Sequence, residues 1–179
     1  VVPYGLTSHN AAIEAREMLE QYLVSDPESV STVVALFRLY LQMDDLDMAE
    51  QLLVGSSRLP SLTILEMKAQ IKVHQGDLLG AVKMLESVTP DYDETTYHAL
   101  LAGLYQKMGR FEEAARHYRY LLNSEPGQGV FWLGLAVSLD SLNSDKEALS
   151  AFQRTRDTGH YDGDVQHYVE ERIRVLSQR

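Results

Sequence analysis

The sequence predicts an all-α fold made of repeated helix–turn–helix units stacked side by side, and three observations predict it. A small residue recurs: Ala15, Ala49, Ala81, Ala114 and Ala148 follow one another at steps of 34, 32, 33 and 34 residues. Four residues after each stands a large apolar side chain, Leu19, Leu53, Leu85, Tyr118 and Phe152, a spacing that puts both on one helix face. Pro27, Pro60, Pro90 and Pro126 fall after these segments, where a residue without an amide hydrogen stops a helix. A fixed period near 34 residues marks a repeat architecture.

Within each period, apolar residues recur at helical spacing twice, separated by a polar break. The first helix is expected near 10–24, with Ile13, Ala15 and Leu19 as a half repeat behind an N-terminal arm, together 1–29. It lacks the partner that would precede it in a complete pair. Its apolar side is then covered by residues 1–9, by a second chain, or by a segment outside this sequence, which starts at Val1 without Met and reads as a piece of a longer protein. Four repeats follow at 30–61, 62–94, 95–128 and 129–160, with helices near 30–43 and 46–57, 62–75 and 78–88, 94–108 and 111–124, 128–142 and 145–158. The third shows the pattern best: Leu101, Leu104 and Tyr105 form one stripe, Met108, Gly109 and Arg110 the turn, and Ala114, Tyr118 and Leu121 the second stripe. The alanine is small because the two helices cross closest there, and the larger residue one turn on fills the space beside it. Ser144 and Glu147 predict a capping box opening the helix at 145. Residues 161–179 read as a capping helix, with Val165, Tyr168, Val169, Ile173 and Leu176 on its apolar side and charges on the other. One such pair cannot bury its apolar face alone, so residues 1–179 are expected to form a single stacked domain.

Composition narrows the function. The 179 residues hold 16 Lys plus Arg against 26 Asp plus Glu, a formal charge of -10, and this argues against a nucleic-acid partner, whose phosphates need clustered cations. The acidity is spread, with 12 acidic and 6 basic residues in 1–89 and 14 and 10 in 90–179. It reads as a solvated surface that keeps the chain soluble. There is no cysteine, which removes disulfides, thiolate metal sites and a cysteine nucleophile and is compatible with either redox compartment. No apolar run approaches the ~18 residues of a membrane span, so direct membrane insertion by this segment is not expected.

The copy at 129–160, with Trp132, Leu135, Ala136, Ala148 and Phe152, and the copy at 95–128, with Leu101, Ala102, Tyr105, Ala114, Tyr118 and Pro126, resemble the tetratricopeptide repeat (TPR). The two earlier copies match mainly in the small and large apolar positions. Departures are present: Ala102 and Ala136 stand where the family has Gly, Leu121 and Thr155 where it has its last Ala, and His160 replaces the closing Pro. The resemblance implies a right-handed α-solenoid whose first helices line a concave groove. Carried over copy by copy, the implied partner-binding groove comprises Val34 and Arg38, then Glu66 and Gln70, then Ala99, Gly103 and Gln106, then Leu133, Val137 and Asp140. Where chaperone-tail-binding members clamp a C-terminal carboxylate with Lys and Asn, this chain has Val34, Glu66, Ala99 and Leu133, so that activity is set aside. What remains is a floor of small and apolar residues at Ala99, Gly103, Leu133 and Val137, suited to the close approach of an extended peptide or an amphipathic helix. The competing occupants of that floor are the chain's own last helix and a second copy.

The stretch Tyr97–Gly159 is also similar to the C-terminal region of the MshN family of accessory proteins in MSHA (mannose-sensitive haemagglutinin) pilus biogenesis, a type IV pilus system. The matching segments are 99–105, 129–136 and 147–152. This resemblance implies a membrane anchor upstream, a location on the periplasmic side of the inner membrane, and pilus-assembly components as partners; a cytoplasmic location stays open.

Enzyme chemistry finds no constellation. Gly-x-Ser-x-Gly, the phosphate-cradling Gly-x-x-x-x-Gly-Lys and His-Glu-x-x-His are all absent from the sequence. Gly127 and Gly129 read as a turn between repeats. His160 and His167, with Asp162 and Asp164, read as a loop whose acids favour a helix N-terminus rather than as metal ligands. Asp44, Asp45 and Asp47 lack the glycine and distant glutamate of a calcium loop and read as a turn between helices. Tyr105, Tyr118 and Trp132 are assigned to the core. The expectation is a non-enzymatic protein-interaction scaffold needing no cofactor or metal. Its alternative is a structural protein that self-associates, as a homodimer or larger, through the half-paired first helix.

Overall fold

The computed structural model describes residues 4–56, 58–89 and 94–178. Among these it contains ten helices and no strand: α1 (Tyr4–Ser25), α2 (Val30–Gln42), α3 (Leu46–Gly55), α4 (Ser61–His74), α5 (Leu78–Glu86), α6 (Thr95–Lys107), α7 (Phe111–Ser124), α8 (Gly129–Ser141), α9 (Asp145–Thr158) and α10 (Gly163–Leu176). The chain has the all-α architecture of TPR solenoids. Its helices group into two compact units, Val1–Met84 and Leu85–Arg179, with the division inside α5. Pro90 lies outside the described residues, as do the side chains of residues 1–9. The first helix starts at Tyr4 rather than near 10: beyond Pro3 the segment contains nothing worse for a helix than Gly5, which one turn tolerates.

The alanine period is the packing period. Ala49, Ala81, Ala114 and Ala148 are each 0% exposed, and the residues four positions on, Leu53, Leu85, Tyr118 and Phe152, are all buried. Ala15 is only half-buried, because α1 packs on α2 alone among the described helices. In the first unit α1 packs on α2, α2 on α3 and α3 on α4, around a core of Val33, Leu36, Phe37, Tyr40, Met67 and Ile71 that Leu19 and Leu23 of α1 flank. The Tyr40 hydroxyl donates to Glu20 Oε1 at 2.9 Å, and burial together with that carboxylate pushes its pKa up to about 12. In the second unit α6, α7, α8, α9 and α10 pack in sequence, and α6 also touches α8. Burying one Phe- or Leu-sized side chain contributes roughly 1.5–3 kcal/mol, so the fully buried Leu101, Leu121 and Phe152 dominate that unit's stability.

Every hairpin turns the same way. Asp44, Gly76, Gly109 and Asn143 have positive φ, at 58°, 81°, 73° and 55°. The next amide reaches back to close each first helix: Asp45 to Tyr40 O at 2.9 Å, Asp77 to Lys72 O at 2.8 Å, Arg110 to Tyr105 O at 2.8 Å, Ser144 to Leu139 O at 3.0 Å. That is a left-handed cap followed by a six-to-one hydrogen bond, and it recurs with the repeat. Asp45 then caps α3 by accepting from Met48 N at 3.2 Å, as Asp77 does for Gly80 N at 2.8 Å.

Two expectations are corrected. Ser144 is the residue before α9, but its side chain makes no capping bond. Its amide is already given to Leu139 O, which leaves Glu147 nothing to reach back to, and Glu147 instead pairs with Arg119 of α7 at 2.6 Å. Trp132 is half-buried rather than in the core. Its indole Nε1 donates to Pro126 O at 2.9 Å, so the ring lies over the turn between repeats, where its N–H finds an acceptor that an apolar core would deny it.

Candidate functional site

The ten groove positions fall into two sets, four in the first unit and six in the second. In the first unit, α2 lies against α4 and presents a half-buried Val34 and an exposed Arg38. Gln70 of α4 is half-buried, whereas Glu66 is only 6% exposed and offers a guest little surface.

The second unit is more informative, because α6 and α8 lie side by side. Ala99 and Gly103 on α6, and Leu133 and Val137 on α8, are all half-buried, each pair one helical turn apart. A Cβ placed on Gly103 would meet nothing within 4 Å, so there is open space above that backbone. A face of this kind leaves apolar surface uncovered and lets another backbone come close.

The other two positions are committed internally. Gln106 Nε2 donates to Gly134 O at 2.9 Å and to Ser138 Oγ at 3.0 Å, while its Oε1 accepts from the Tyr118 hydroxyl at 2.9 Å. One side chain therefore ties α6, α7 and α8 together. The Tyr118 ring sits directly on α8: a Cβ on Gly134 would fall within contact distance of three ring atoms, Cε2 among them at 2.7 Å. Burial pushes the Tyr118 pKa up, which keeps the phenol neutral and donating. Asp140 accepts from Arg172 Nη2 of α10 at 2.6 Å, with side-chain exposures of 15% and 25%. That carboxylate belongs to the attachment of the capping helix. These bonds hold the floor of Ala99, Gly103, Leu133 and Val137 in place, and they engage the polar groups of Gln106 and Asp140 within the chain.

Sequence reasoning missed a second cluster. His98 of α6 and His117 of α7 bring their Nδ1 atoms to 2.9 Å, which requires one ring to donate and the other to accept. The His98 ring lies 4.1 Å, centroid to centroid, from Tyr120. Tyr105 donates to Glu86 Oε1 at 2.6 Å, under the Arg110 guanidinium 4.5 Å from its ring centre. Burial lowers the His98 pKa. Burial, with His98 and Arg116 nearby, brings His117 down to about 4, so the pair is neutral near pH 7. The signal was faint: His98 stands 11 residues before Gly109 and His117 eight after it, so an antiparallel hairpin brings the two to within about one helical turn of each other. Asp162, considered as a ligand, caps α10 by accepting from Val165 N at 3.0 Å. No group of three or more His, Asp or Glu able to hold a metal ion occurs among the described residues, and no described helix is long and apolar enough to cross a membrane.

No family model and no curated protein matches the sequence. Solved structures match in shape. YrrB, a TPR protein with an unusual peptide-binding site, is 15% identical with a TM-score of 0.62, over 93% of this chain and 87% of its own. MamA is 16% identical with a TM-score of 0.59, over 85% of each chain. The APC/C hetero-tetramer Cut9–Hcn1 is 17% identical with a TM-score of 0.70, over 94% of this chain and 33% of that one. At such identities the likeness gives the fold, stacked TPR hairpins.

Proposed function

We propose that the chain is a non-enzymatic protein-interaction scaffold whose α6–α8 face receives an extended peptide or one side of a helix. The observation that carries this reading is the uncovered floor of Ala99, Gly103, Leu133 and Val137, with open space over Gly103, braced from behind by Gln106 and Tyr118. A rigid, partly apolar surface limits the ordering that binding demands, so more of the contact energy appears as affinity. YrrB, which shares the fold, has a peptide-binding site, and this supports the same use of it here. Arg38 and Gln70 give the first unit, taken by itself, a polar contact region of its own.

The finer reading is a role in MSHA or another type IV pilus assembly, from the periplasmic side of the inner membrane. It rests on the sequence resemblance over Tyr97–Gly159, and pilus-assembly proteins are the partners to try first.

Peptides selected from a phage-displayed random library on the folded chain provide a probe that requires no known partner. Leu133→Glu places a charge on the floor and is expected to weaken the selected peptides at least ~10-fold while leaving helicity and Tm nearly unchanged. Unaltered binding, or loss of folding instead of binding, would remove Leu133 from the site.

A further inference from the structure

Among the described residues His98 and His117 are the two histidines hydrogen-bonded to each other, and the peptide floor makes no use of them. His98 is on α6 and His117 on α7, so the 2.9 Å between their Nδ1 atoms joins the two helices of one hairpin. Both rings are half-buried and line an open cleft of about 390 Å³ with Tyr105, Arg116 and Tyr120. A water occupies about 30 Å³ of the liquid, so several fit beside the pair. The rings of Tyr97 and Tyr120 pack on His98, at 5.2 Å and 4.1 Å between centroids, and hold its imidazole in place. The Tyr105 hydroxyl is engaged by Glu86 and the Tyr97 hydroxyl by the Leu85 carbonyl, which leaves the two Nδ1 atoms to each other.

A single proton lies between those nitrogens, donated by one ring and accepted by the other. Two imidazole nitrogens on one metal ion, at about 2.0–2.1 Å each, stand about 2.9 Å apart at a right angle and about 3.4 Å apart at a tetrahedral one. The pair is therefore within about half an ångström of either arrangement. Binding shifts the shared proton to Nε2 of the donating ring, through water in the cleft, and both Nδ1 lone pairs then turn to the ion. The two rings lose no proton overall, and no redox partner is required. Burial keeps both rings neutral near pH 7, the form that ligates a metal. The charges around the pair nearly cancel: Arg110 and Arg116 oppose a cation, whereas Glu86 and Glu113 favour it. Coordination rather than net charge then decides what binds.

We propose that His98 and His117 bind a divalent first-row transition-metal ion through their Nδ1 atoms, copper(II) most tightly, with water completing its coordination. Imidazole suits copper, nickel and zinc, whereas magnesium and calcium take oxygen donors, and copper(II) stands highest in the affinity order. The ion clips α6 to α7 and stabilises the folded chain, because the unfolded chain does not hold the two rings together.

Calorimetric titration of the folded chain near pH 7 with copper(II), zinc or magnesium chloride tests this, with the copper complex read by electron paramagnetic resonance. The tightest step is expected to take one copper per chain, with hyperfine coupling to two imidazole nitrogens and a raised Tm. Zinc is expected at the same pair with lower affinity, and magnesium not at all. His98→Gln and His117→Gln, both checked for native helicity, should each weaken copper at least ~10-fold and remove one nitrogen from the spectrum. His160→Gln combined with His167→Gln should change neither. Should one of the pair variants fail to fold, the other variant and the wild-type nitrogen count still decide the matter. A wild type that takes up no copper overturns the proposal. So does uptake that survives both single variants, uptake lost in the His160 and His167 control, or zinc held more tightly than copper.

Discussion

Gly134→Ala is the most exacting test of the packing behind the floor. In an exposed helix interior this substitution stabilises by roughly 1 kcal/mol, through backbone entropy. Here the added methyl would collide with the Tyr118 ring, whose Cε2 stands 2.7 Å from the new atom. The ring is buried and its hydroxyl is bonded to Gln106, so it cannot swing away freely. Overpacking of this kind costs about 1–3 kcal/mol, and release of the hydroxyl from Gln106 adds about 1 kcal/mol. Set against the helix gain, the net is a loss of about 1–3 kcal/mol. In a Tyr118→Leu background the obstacle is gone, and Gly134→Ala should become neutral or stabilising by up to ~1 kcal/mol. The difference between backgrounds is then a coupling of roughly 1–4 kcal/mol. Urea denaturation followed by fluorescence reads the right unit, because the chain's single tryptophan, Trp132, is on α8. Stabilisation by Gly134→Ala in the wild-type background would show that the ring does not rest on α8, and the brace would fall with it.

Three further outcomes follow from the same geometry. Gln106→Ala strips three hydrogen bonds from a half-buried site and should lower the stability of the second unit by about 1–3 kcal/mol; a change under ~0.5 kcal/mol, the usual effect of an open surface position, would return Gln106 to the groove. Asp140→Ala and Arg172→Ala should each cost about 1–3 kcal/mol, and a double-mutant cycle in urea should show them far from additive; independent effects would detach α10 from α8. The His98–His117 pair should make the second unit acid-sensitive. The folded pKa of His117 is depressed from its ordinary value of 6.5 to about 4, so its contribution is complete above 6.5 and disappears as pH falls through 4. After discounting for the partial exposure of the ring it amounts to about 1–2 kcal/mol. His117→Asn should flatten the stability profile between pH 6.5 and 4.

The fold was legible because a helical repeat states its core in one dimension. The steps between Ala15, Ala49, Ala81, Ala114 and Ala148 are the steps between helix pairs, and only Ala15, on α1, is not fully buried. The turns were partly legible. Gly76 and Gly109 mark left-handed caps openly, whereas Asp44 and Asn143 occupy the same conformation with less obvious side chains. The site was harder, because transferring groove positions between repeats says which way a side chain leaves the helix and nothing about what it then bonds. Gln106 and Asp140 leave in the expected register and are taken by Tyr118 and Arg172. Ser144 and Glu147 show the same limit in a cap: the spacing is right, but the backbone donor is spent on the preceding turn. The His98–His117 contact needed the pairing register of a hairpin rather than a motif along the chain.

The central claim is that α6 and α8 present the receiving surface. Backbone amide shifts of isotope-labelled protein, followed during titration with the tightest library-selected peptide, test it most directly. The account predicts the largest shifts at Ala99, Gly103, Leu133 and Val137, with Gln106 perturbed and the amides of α9 nearly still. Perturbations confined to α7 and α9, or to the cleft around His98 and His117, would contradict it.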